Sequence, residues 1–132
     1  MKVIGFDHLV LTVASIERTV GFYENVLGMK RETFGAGRTA LLFGPHKINL
    51  HQVDNTFDPK AAHPAMGSAD LCLLVDDFEG IEAQLTAHDV PILVPRSTRA
   101  GARGAITSIY IRDPDQNLVE LSVYADGAKA AS

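Results

Sequence analysis

The chain has 132 residues, 46% of them apolar, a net charge of −4 and a single cysteine. That is enough apolar surface for one ordinary core, with no composition break between independent domains, so one domain spanning 1–132 is expected. The acidic balance and scattered Lys and Arg exclude the clustered cations that nucleic acid or an anionic membrane surface requires. The lone Cys72 excludes an internal disulfide and a cysteine-rich zinc site, which fits a reducing compartment. Met1 to His8 is too short an apolar run, charged too early, for a signal peptide, and no stretch approaches a membrane span, so the cytoplasm is the expected location.

Residues 6–13 alternate: His8, Val10 and Thr12 fall on one face of a strand, and Leu9, Leu11 and Val13 on the other. Ser15 is placed to cap a helix whose apolar stripe is Ile16, Val20, Tyr23 and Leu27, stopped by Gly28. Three short strands follow over 29–34, 38–43 and 47–53, separated by Gly35-Ala36-Gly37 and Gly44-Pro45. Residues 54–67 hold prolines and glycines among small and polar residues and predict a connecting loop. A strand over 69–75 comes next, then a helix opened by Asp76 with Glu79 as a capping box and Phe78, Ile81 and Leu85 as its stripe. After Val90-Pro91 the pattern predicts a strand around 92–94, a long loop over 95–104, a strand over 106–112, the turn 113–117 and a strand over 118–124. A frayed tail begins at Ala125.

The order is βαβββ twice, and the sequence echoes it. Phe6 to Val13 returns as Ser68 to Val75, which places Asp70 where His8 stood. Ala40 to Pro45 returns as Ile109 to Pro114, and the same register carried forward places Glu120 where His51 stands. The repeats run about 4–53 and 68–124. The expected fold is α+β: tandem βαβββ units forming an incompletely closed, curved barrel with helices outside. Equivalent positions of two such halves can face each other, so the repeat proposes a divalent-metal site of His8, His51, Asp70 and Glu120. Asp70 either ligates or, through its short side chain, orients His51. Imidazole and carboxylate donors without thiolates suit Mn, Fe, Ni, Co or Zn.

Two further segments carry a resemblance. Phe22-Tyr23-Glu24-Asn25-Val26-Leu27-Gly28-Met29 is similar to the first-helix signature, and Asp113 to Glu120 to the turn-and-ligand signature, of the vicinal oxygen chelate superfamily of glyoxalases, fosfomycin and bleomycin resistance proteins and extradiol dioxygenases. Phe57 to Pro64 with Gly67 to Asp70 resembles a glyoxalase-domain branch that includes bacterial virulence proteins. The resemblance covers nearly the whole chain. It implies a metal that chelates two adjacent oxygens of a small-molecule substrate, a homodimer, and a ligating Glu120 that can leave the ion to act as catalytic base. The glyoxalase order along the four positions is His or Gln, Glu, His, Glu; His51 and Asp70 depart from it. A glyoxalase-like lyase or isomerase is the leading expectation. The alternatives are an extradiol-type dioxygenase using His8, His51 and Glu120, and a bleomycin-type binding protein.

The remaining candidates are substrate contacts. Arg96, Arg99 and Arg103, in the expected long loop, could hold a carboxylate or phosphate, or be solvated. His63, in the connecting loop, is an ordinary exposed histidine unless that loop folds over the site. Cys72 reads as a small hydrophobe rather than a nucleophile. Gly35 to Ala40 imitates a dinucleotide fingerprint but opens a strand, not a helix, and Asp113 to Asn117 lacks the glycine and distal glutamate of a calcium loop.

Overall fold

The structure, a computed structural model, describes residues 1–124; the expected frayed tail lies outside the described residues. The chain divides into two compact units, Met1–Met66 and the remainder from Gly67. Each is a βαβββ unit, and the fold is α+β.

In unit 1, β1 (His8–Val13), α1 (Ile16–Asn25), β2 (Lys30–Phe34), β3 (Arg38–Phe43) and β4 (His46–Gln52) follow in order. They form an open sheet of order β1-β4-β3-β2, with β1 and β4 parallel and the other pairs antiparallel. Strand alternation sends Leu11 and Val13, Ile48 and Leu50, and Leu41 to one face, where all five are buried. Helix α1 packs on β2, β3 and β4 and buries Val20 and Tyr23. Val26 is buried while Leu27 is only half-buried, so the stripe ends one residue before the expected one. Ser15 caps the helix, its Oγ accepting from the Arg18 N–H at 3.2 Å.

Unit 2 repeats the wiring with β5 (Asp70–Leu74), α2 (Phe78–Ala87), β6 (Val94–Gly101), β7 (Gly104–Arg112) and β8 (Leu118–Tyr124), in sheet order β5-β8-β7-β6. Ile109, Ile111, Val119 and Leu121 make its buried face, and α2 buries Phe78 and Leu85. The cap of α2 is Asp77 rather than the expected Asp76: its backbone is extended and its side chain accepts from the Gly80 N–H at 3.0 Å.

Two local features bear on the sequence pattern: an edge strand that it missed and the turn over 113–117 that it predicted. The expected loop over 95–104 is largely strand β6, an edge strand paired only to β7. Its polar composition and Pro95 hide it, and the register shift between Val94 and Ser97 marks where a proline without an N–H is tolerated. The segment 113–117 is a side-chain-built turn. Asp113 is buried; its Oδ1 accepts from the Asp115 and Asn117 N–H groups and its Oδ2 from Asn117 Nδ2, at 2.9–3.0 Å. Asn117 Oδ1 in turn accepts from the Ala69 N–H at 2.9 Å, which ties the entry of β8 to that of β5. Gly67 sits beside this turn at φ +70°, where an added Cβ would stand 2.6 Å from the Asp115 carbonyl oxygen, so only glycine fits.

Candidate functional site

In unit 2 the polar face of the sheet is set by the β5–β8–β7 ladder. Cys72 pairs with Glu120 and Glu120 with Tyr110, while Ser122 pairs with Ser108, so all five side chains share one face. Ser108 and Ser122 are fully buried. The Ser108 hydroxyl donates to Glu120 Oε2 at 2.7 Å and lies 2.7 Å from Ser122 Oγ, which lies 3.2 Å from Cys72 Sγ. Burial, with the Glu120 charge and a hydrogen bond to it, pushes the Tyr110 phenol above its ordinary range. Tyr110 is therefore a neutral donor to that carboxylate. Partial burial likewise pushes the Cys72 thiol up, so no thiolate nucleophile is prepared there. Among the described residues no cation pairs with Glu120. Hydroxyl groups orient the carboxylate, which keeps its capacity to accept a proton or bind an ion.

The register alters the repeat equivalence inferred from sequence. His8 pairs with Lys47 and Asp70 with Leu118, so Lys47 and Leu118 are equivalent; two residues on, Asn49 is equivalent to Glu120, and His51 to Ser122. The cause is turn length. The β3–β4 hairpin turns through Gly44-Pro45, whereas β7–β8 turns through the five residues 113–117, and the sequence echo, aligned on Pro45 and Pro114, ran across this difference.

In unit 1, His51 pairs with Thr12, four residues along from His8 on the same strand. At about 3.3 Å per residue this sets the two histidines about 13 Å apart along the ladder. His8 is half-exposed and its Nδ1 lies 2.7 Å from Asp7 Oδ1. A carboxylate that accepts a hydrogen bond from Nδ1–H leaves the lone pair on Nε2, the arrangement that suits a metal-binding imidazole. His51 is buried and differently engaged: Arg38 Nη2 lies 3.3 Å from its Nε2. A guanidinium only donates, so Nε2 accepts and Nδ1 carries the proton. Burial first, then the charges of Arg38 and Lys60, holds this imidazole below its usual range and hence neutral at pH 7.

The other expected residues are dispersed. Asp70 is exposed at the start of β5, two positions from the Cys72–Glu120 pair and on their face. Arg96 turns to α2, where its guanidinium bonds the Glu82 carboxylate and covers the Phe78 ring. Arg99 lies over Tyr110 with its Nε bonded to Ser97, and Arg103 lies over Tyr124. The three arginines thus stand on separate aromatic partners. His63 is exposed in the connecting segment. Among the described residues no three His, Cys, Asp or Glu side chains form a ligand group. Taken one by one, His8 in unit 1 and Asp70 and Glu120 in unit 2 carry donors of the kind a divalent ion takes, whereas the accepting nitrogen of His51 is turned to the Arg38 guanidinium. Among the described residues no helix is long and apolar enough to cross a membrane.

Sequence reasoning missed Asp7, Ser108, Tyr110, Arg38 and Asn49. All but Asp7 lie on the polar sheet faces once hairpin register is known, so strand alternation combined with turn length was the usable signal.

Residues 5–121 match the family described as the Glyoxalase/Bleomycin resistance protein/Dioxygenase superfamily, and the chain belongs to it. Among curated proteins it is similar to Virulence protein STM3117 of Salmonella typhimurium, 49% identical over 89% of this chain and 83% of that one. It is also similar to the glyoxalase domain-containing protein RDO1 of Mycosarcoma maydis, 46% identical over 96% of this chain and 72% of that one. Among solved structures, an integron cassette protein from the mobile metagenome of V. cholerae has 53% identity and a TM-score of 0.92, covering 95% of this chain and 98% of that one.

Proposed function

We propose that this protein is a metal-dependent lyase or isomerase of glyoxalase type, acting on a small molecule with neighbouring carbonyl and hydroxyl oxygens. The observation that carries this reading is the setting of Glu120: a carboxylate on a sheet face, oriented by the Ser108 hydroxyl at 2.7 Å and neighbouring neutral Tyr110. His8, Asp70 and Glu120 are the residues that would hold the ion, and the ion when bound supplies Lewis acidity to the substrate oxygens. Glu120 takes the proton alpha to the carbonyl on a free carboxylate oxygen while Ser108 keeps the other in place, and returns that proton to the neighbouring carbon, so that no net proton is consumed. Tyr110, neutral and on the same sheet face, donates to Glu120 and helps to orient it. The same reading takes the protein as a cytoplasmic homodimer, consistent with its single unpaired cysteine.

The test is a pair of assays on metal-loaded protein: isomerisation of the methylglyoxal–glutathione hemithioacetal, and catechol-dependent oxygen uptake. Isomerisation by the wild type, with kcat lowered about 10²- to 10⁴-fold in Glu120→Gln, is expected. Unchanged turnover in Glu120→Gln removes the base. Oxygen uptake without isomerisation replaces the reading with a dioxygenase, and ligand binding by metal-free protein with neither reaction replaces it with a binding protein.

A further inference from the structure

Arg31, Arg96 and Arg38 show two different habits. Arg31 is bonded through both terminal nitrogens to the Glu17 carboxylate at 2.8 Å, and Arg96 is bonded to Glu82. Arg38 has no carboxylate partner among the described residues. Its guanidinium instead lies 4.8 Å from the centroid of Phe57 and 5.2 Å from that of Phe34, with one nitrogen on His51. Two ring faces and a neutral imidazole therefore hold a cation whose remaining N–H groups have no anion of their own.

The surroundings add positive charge. Lys47 Nζ sits 3.7 Å from the Phe34 centroid. The same face carries Asn49, which is buried and whose Oδ1 has no hydrogen-bond partner. An orphaned buried acceptor is costly unless something donates to it. Asn49 is two residues from His51 on β4, so acceptor and guanidinium share one sheet face about 7 Å apart along the strand.

From this geometry we infer that Arg38 and Asn49 form a binding site on unit 1 for a small hydroxycarboxylate, the carboxylate taken by the guanidinium and the hydroxyl donated to Asn49 Oδ1. The fork of Arg38 matches a planar carboxylate two bonds at a time, which a lysine would not. Clamping by Phe34, Phe57 and His51 removes rotamer freedom before binding, so little ordering cost is left for the ligand to meet. A planar monoanion suits a single guanidinium walled by aromatic rings; a phosphate dianion would call for several more donors. The site uses none of the proposed metal ligands, and its existence does not rest on the reading of Glu120.

The test is calorimetric titration of the full-length, chelator-treated protein with sodium lactate, sodium propionate and inorganic phosphate. Lactate should bind more tightly than propionate, which lacks the hydroxyl. Arg38→Met should weaken lactate at least about tenfold, as expected for losing a charge-assisted bidentate contact, and Arg18→Met on the exposed side of α1 should not. Undiminished lactate binding in Arg38→Met, or phosphate bound more tightly than lactate, overturns the proposal. Should Arg38→Met fail to fold, the wild-type Arg38 Nε–Hε resonance decides: a shift saturating with lactate supports the site, and no shift overturns it.

Discussion

The two sheets have the same wiring and opposite chemistry on their polar faces. In unit 2 the paired positions carry Ser108 and Ser122, a 2.7 Å hydroxyl contact beneath Glu120; in unit 1 the corresponding positions carry Arg38 and His51, a 3.3 Å contact beside Asn49. One face thus presents a carboxylate steadied by neutral hydroxyls, and the other a cation steadied by rings and a neutral imidazole. A duplicated fold kept the ladder positions in contact while exchanging what they hold. On the two proposals made above, this difference would divide proton transfer on unit 2 from anion recognition on unit 1.

The largest effect that would break this contrast is the loss of turnover in Glu120→Gln already described, since Asn49 at the equivalent position cannot take a proton. Next come the cores, where the units should behave alike. Leu41→Ala in unit 1 and Leu121→Ala in unit 2 remove fully buried side chains, and each should cost about 2–5 kcal/mol in urea unfolding. A unit that tolerates its substitution contributes little to the measured stability. Asp113→Ala should then cost about 3 kcal/mol, because it strands the Asp115 and Asn117 N–H groups and Asn117 Nδ2 in a buried turn that unit 1 replaces with Gly44-Pro45.

A smaller and directional effect belongs to unit 1 alone. The folded state holds His51 below the ordinary value of 6.5, so on acidification the unfolded chain takes up the proton first. Stability from this group is complete above about pH 6.5 and is lost as pH falls from there toward the lower folded-state value, by at most about 1.4 kcal/mol per pH unit. Urea titrations between pH 7.5 and 5 should show this slope in the wild type and a reduced one in His51→Gln; identical slopes would show that His51 is not the group involved. The smallest effects are the helix caps, Ser15→Ala and Asp77→Ala, each worth about 1 kcal/mol by thermal unfolding.

Much of this was legible in the residues. The βαβββ repeat followed from alternation at His8 to Val13, the Ser15 cap and the glycine turns, because each rests on local periodicity. Register did not follow, because it depends on how many residues a turn consumes. Asp113 builds a five-residue turn where Gly44-Pro45 makes a two-residue one, and that difference moved the partner of Glu120 from His51 to Asn49. Strand β6 was hidden for another reason: an edge strand with little apolar alternation and a proline at its bulge carries few of the usual signals. For Arg96, Arg99 and Arg103 the sequence left anion binding and solvation both open; their aromatic and carboxylate partners lie on other strands and on α2, and sequence spacing does not report such contacts.

The most direct test of the contrast is elemental analysis of protein purified without chelator, comparing wild type, His8→Ala, His51→Gln and Glu120→Gln. The account predicts about one divalent ion per chain in the wild type and in His51→Gln, and loss of that ion in His8→Ala and Glu120→Gln. An ion lost with His51→Gln but retained in Glu120→Gln would contradict it.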